Sequence, residues 1–190
     1  MDVHTWIAND LHSVRSKLGD SVLCVIPAQR WVEQADDGGS SIAHLVLHLA
    51  RHQDLALATA IRNHPPLFAS HRDALGLAGA GPSAGLSERE DPEISAALPL
   101  ESLVGYLDAV FAATAAWLAG VGTMALDTIP DTSRRLIDNA DLSIDDVGWL
   151  HRMWADKPVS WLVQWPIIGH GHAHVGEAIS VRNRMGLSPF

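Results

Sequence analysis

One cysteine, Cys24, in 190 residues excludes an internal disulfide framework. Its setting in an apolar helical stretch reads as a small hydrophobe rather than a nucleophile. Basic residues are also scarce: 13 Lys and Arg stand against 22 Asp and Glu, for a formal charge of −9, and no basic run exceeds Arg134-Arg135. Phosphate contacts dominate nucleic-acid affinity, so this balance argues against DNA or RNA as a partner. No apolar run is expected to span a bilayer, which takes roughly 18 residues. The opening stretch MDVHTWIANDLHSVR is polar and acidic from its second residue and does not read as a signal peptide. A cytoplasmic protein without membrane contact is therefore expected. Strand signals are absent as well, since no segment alternates apolar and polar residues between turn clusters.

What is present is helical. Apolar side chains recur at helical intervals over residues 3 to 23 (Trp6, Ile7, Leu11, Val14, Leu18, Val22) and stop before Pro27. Ser40-Ser41 offer an N-cap for a helix from about 41 to 63, closed by Pro65-Pro66. A third helix is expected from about Pro99 to Gly120, and a shorter one around 143 to 155, where Ser143 and Asp146 form a capping-box pattern. The last should run from about 158 to 185, with Pro166 kinking or breaking it. Four long amphipathic helices predict an all-α four-helix bundle in a single domain, 1–190. Residues 64 to 98, rich in Gly, Pro, Ser and Ala, read as a long crossover between the second and third helices.

The stretch PIIGHGHAHVGEA, 166 to 178, packs three of the chain's 11 histidines into five positions. On a helix His170 and His174 share one face with Val163, Ile167, Ala178, Val181 and Met185, while His172 points away with Trp161, Trp165 and Ile179. An inward pair of imidazoles needs partners: carboxylates or water, or a metal ion if a third donor is near. The second helix offers His44, His48 and His52 at i, i+4 and i+8. Geometry gives His48 and His52 similar weight and leaves His44 furthest toward Arg51 and Arg62. The remaining polar residues have plainer readings. His64 and His71 lie in the long loop, read first as solvated residues and second as neighbours of the site mouth. Asp145-Asp146 complement a helix dipole.

The run SIAHLVLHLARHQDLAL resembles the second helix of the DinB superfamily, in which a histidine after a Ser-Ile start and an apolar run ligates a metal. The match is His48. HGHAHVGEA resembles the closing motif His-x-x-x-His-Arg-Gly-Gln of the same superfamily and puts the other two ligands at His170 and His174. Val175 and Glu177 replace the arginine and glutamine of that motif, so no role of that arginine carries over. Glu177 is placed to orient an imidazole N–H, to be a fourth ligand or general base, or to be a solvated acid.

The resemblance implies a divalent metal (zinc first; nickel, iron or manganese as alternatives). It also implies a low-molecular-weight thiol, mycothiol or bacillithiol, used against a small electrophilic substrate by a transferase or isomerase. A hydrolase with metal-bound hydroxide and Glu177 as base is the alternative, and a non-enzymatic metal- or ligand-binding bundle is the third reading. The Trp161, Trp165 and Ile179 face must be covered, either by residues 143 to 155 or by the second subunit of a homodimer.

Overall fold

The order of the helices is set by where their apolar stripes can meet. In the computed structural model, which describes residues 2–35 and 39–189, α1 runs Val3–Leu18 and continues through a π-helical turn, Gly19–Leu23. The Asp2 carboxylate caps α1 by accepting from the Thr5 N–H at 2.8 Å. Helix α2 (Ile42–Asp54) is capped by Ser41, whose hydroxyl accepts from the His44 N–H, and extends through a second π turn, Leu55–Ile61. These spans agree with the expected 3–23 and 41–63.

The crossover carries two short helices, α3 (Phe68–His71) and α4 (Pro92–Ala97). Then come α5 (Leu100–Gly120), α6 (Thr132–Ala140) and α7 (Ile144–Trp154). The final rod is α8 (Val159–Leu162), a third π turn (Val163–Gly169) and α9 (His170–Arg184). No strand occurs among the described residues.

The structure adds detail at α6 and at Pro166. Helix α6 was not expected; Asp131 supplies its N-cap by accepting from the Arg134 N–H. At Pro166 the expected kink or break takes the form of a π segment between α8 and α9. The proline sits inside the π turn, where the wider i→i+5 winding absorbs the missing N–H and the backbone stays right-handed from Leu162 to His170.

Helix α1 lies against α5 and α9, and α2 lies against the same two helices. By length and composition α5 is apolar enough to cross a membrane, with a mean hydropathy of 1.5 in its best window, contrary to the expectation that no such run exists. In the fold Leu103, Leu107, Val110, Phe111 and Leu118 are buried, and the exposed Asp108 pairs with Arg15 at 2.6 Å. Each of these burials contributes about 1.5–3 kcal/mol, which accounts for the helix as a core element.

Every residue of α2 is buried, including His44, His48, Arg51, His52, Gln53 and Asp54. Burying six polar side chains is tolerable only if they find partners. Asp54 accepts from the Leu67 and Phe68 N–H groups at 2.9 and 2.8 Å and from the Tyr106 hydroxyl at 2.8 Å. Gln53 donates to Thr114 at 2.8 Å. The Arg51 guanidinium lies 3.6 Å over the Phe68 ring. Much of the polar side of α2 thus holds the crossover.

Candidate metal centre

Residues 82 to 90 of the crossover lie along α2 and are fastened mainly through backbone carbonyls. Arg51 donates to the carbonyls of Ala84 (3.0 Å) and Pro82 (2.6 Å), His48 Nδ1–H to that of Gly85 (3.0 Å), and His52 Nε2–H to that of Leu86 (3.2 Å). Ser41 adds its N–H and hydroxyl to the Glu90 carboxylate at 2.6 and 2.7 Å. Close approach is possible because Gly85 has φ +76° and no Cβ; an added one would lie 2.8 Å from the Leu47 side chain.

These bonds decide the state of the rings. A carbonyl only accepts, so His48 carries its proton on Nδ1 and presents a bare Nε2. That Nε2 is buried and has no hydrogen-bond partner. Across from it, His174 Nδ1 is 3.0 Å from Glu177 Oε2, so the N–H donates to the carboxylate and His174 Nε2 is bare as well. His170 Nε2 lies 3.0 Å from His174 Nε2. The His48 ring is centred 5.0 Å from that of His170 and 4.7 Å from that of His174. Candidate donor atoms of His48, Glu88, His170 and His174 all lie within 4.8 Å of one another, a group that could hold a metal ion.

The donor set fits a divalent cation. Two ligands at about 2.0–2.2 Å from one ion stand roughly 3–3.6 Å apart. The 3.0 Å between the two Nε2 atoms is near the lower end of that interval, and the 3.7 Å from His48 Nε2 to Glu88 Oε1 is just past its upper end. A separation of 3.7 Å is too long for a hydrogen bond. The buried His48 Nε2, with no hydrogen-bond partner, suits a ligand atom.

Electrostatics keep the rings in the ligand form. Burial, with the neighbouring His174, pushes His48 from the ordinary histidine value to about 3. Burial, His174 and His48 do the same to His170, again to about 3. Burial, with His170 and His48 beside it, puts His52 well below the ordinary value. His44 is also lowered by burial. At neutral pH these rings are uncharged, as metal ligation requires.

Of the two candidates on α2 that geometry alone could not separate, His48 joins the four-donor group. His52 is 4.5 Å, ring to ring, from both His48 and His170, and it spends Nε2 on the Leu86 carbonyl. His172 is half-buried and outside the group, and His71 turns to the Leu67 carbonyl and the Tyr106 ring. Cys24, at the end of the π turn Gly19–Leu23, is exposed rather than buried. Sequence reasoning missed Glu88. It lies in the acidic loop run SEREDPE, and only the carbonyl ladder to α2 brings it over the histidines.

Near the cluster, Trp149 lies 5.8 Å from the His52 ring and Trp165 lies 6.3 Å from that of His170. Trp165 remains 39% exposed, Trp161 and Ile179 are half-buried, and α7 packs against α6. Trp165 is thus only partly covered within one chain.

An all-helical fold around a buried histidine group able to hold a cation defines the class. The DinB superfamily model matches residues 8–178, and the chain belongs to that superfamily. Among solved structures the fold is similar to the crystal structure of a conserved protein from Enterococcus faecalis, with a TM-score of 0.68 and 19% identity over 98% of this chain and 99% of that one. No curated protein matches the chain.

Proposed function

We propose that the protein is a metal-dependent transferase or isomerase in which His48, His170 and His174 hold a divalent ion, zinc first. A low-molecular-weight thiol of the mycothiol kind would be its co-substrate against a small electrophile. The observation that carries this reading is the convergence of uncharged, buried imidazoles on one point, with His48 Nε2 left without a hydrogen-bond partner. A bound ion would supply Lewis acidity, lowering the pKa of a thiol or water at its open position.

The chain's own residues do the rest. The Gly85 carbonyl fixes the tautomer of His48, and the Glu177 carboxylate fixes that of His174. Glu177 thereby acts as a positioning residue. Its side chain is 42% exposed beside the cluster, and this favours a second reading, a hydrolase in which Glu177 takes a proton from water. The supporting fold is a four-helix bundle of α1, α2, α5 and the α8–α9 rod, working as one cytoplasmic domain. The open Trp165 face pairs with a second copy.

The test is turnover of a panel of small electrophiles by the zinc-loaded protein with and without added thiol. Turnover that requires the thiol supports the proposal. Thiol-independent ester or amide cleavage moves the assignment to the hydrolase, and no turnover leaves a binding protein.

A further inference from the structure

We propose that Glu88 is a tethered, exchangeable ligand that closes the fourth position of the metal and gives way to an incoming small monoanion such as a thiolate. The inference rests on the metal reading above and adds how the open position is guarded.

The two partners of the 3.7 Å pair are unlike. The His48 side chain is 1% exposed and that of Glu88 is 76% exposed, so the carboxylate reaches the buried cluster from the solvent side. Among the described residues no hydrogen bond holds that carboxylate. The backbone around it is fixed. Upstream, Arg51, His48 and His52 grip the carbonyls from Pro82 to Leu86; downstream, Glu90 is clamped by Ser41. A side chain free to rotate on a fixed backbone can leave and return without moving the fold.

Charge makes the exchange balanced. Three neutral imidazoles leave a divalent ion with both its charges, and the Glu88 carboxylate removes one. A thiolate replaces it at equal charge, its proton passing to solvent, so the desolvated pocket sees no change in net charge on exchange. A neutral ligand would have to displace an anion without replacing its charge. The position is thereby selective for monoanions over neutral donors.

Cobalt(II) reports the coordination sphere without turnover. The wild-type chain and Glu88→Ala should both bind one cobalt, the variant at least roughly tenfold more weakly, as for lost interactions at metal sites generally. Its visible d–d bands should shift, and added acetate should bring them back toward the wild type. Mercaptoethanol should saturate the Glu88→Ala cobalt protein at a concentration at least tenfold lower than it needs for the wild type, because no tethered carboxylate competes. Equal mercaptoethanol affinities, with unchanged d–d bands, would overturn the role of Glu88 while leaving the three-histidine site intact. Failure of the wild-type chain to bind cobalt would instead overturn the metal reading. Unchanged circular dichroism in Glu88→Ala keeps the comparison interpretable, and Glu88→Gln, which retains shape without charge, should behave as Glu88→Ala does toward mercaptoethanol.

Discussion

Removing metal should make the protein unusually sensitive to mild acid, and the size of the effect follows from two rings. In the unfolded chain each histidine takes up a proton near pH 6.5. In the native protein burial and the adjacent rings hold His48 and His170 unprotonated until about 3. Between those values the unfolded state binds more protons, so native stability is fully present above 6.5 and is lost as the pH falls toward 3. Each ring costs about 1.4 kcal/mol per pH unit well inside that window. From pH 7.5 to 5.5 the pair together should remove about 3 kcal/mol. His52, also lowered, acts in the same direction. Against a total stability of about 5–15 kcal/mol this is a large share. The assay is urea unfolding of the chelator-treated protein at both pH values, for the parent and for the double variant His48→Gln/His170→Gln. The parent should lose stability steeply and the double variant should lose about 3 kcal/mol less. An equal loss in both would show that these two rings are not held neutral, and with that the electrostatic basis of the site would fail.

Other expectations concern the frame around the site. A Cβ on Gly171 would lie 2.9 Å from Val14 Cγ1, so Gly171→Ala must push α1 from α9. A helix-propensity gain of about 1 kcal/mol is set against about 1–3 kcal/mol of overpacking, and calorimetry should show Tm lowered by a few degrees. Tyr106→Phe removes one of three donors to buried Asp54 and should cost about 1–2 kcal/mol in urea unfolding. Glu177→Ala frees the His174 N–H and should weaken zinc binding by roughly 10–100-fold in a chelator competition, with the far-ultraviolet spectrum unchanged.

The helices were legible because their signals are local: Ser41 and Ser143 cap two of them and the apolar stripes repeat at helical spacing. His170 and His174 were legible for the same reason, being one turn apart on a core-facing stripe. The α2 histidines were only half legible. Both His48 and His52 are buried, and what separates them is which ring nitrogen a crossover carbonyl takes, a contact made 34 to 37 residues away. Glu88 was illegible because an acidic loop run looks the same whether it is solvated or strapped to a helix. The π turn at Pro166 was hidden too, since proline in a helical pattern signals a break unless wider winding absorbs it.

Metal content of five purified histidine variants tests the central assignment most directly. After zinc loading and dialysis, elemental analysis should find about one zinc per wild-type chain. His48→Ala, His170→Ala and His174→Ala should each lose it, while His172→Ala, outside the cluster, should keep it. Loss from His172→Ala equal to the others, or full retention by His48→Ala alongside loss in His52→Ala, would contradict the ligand set.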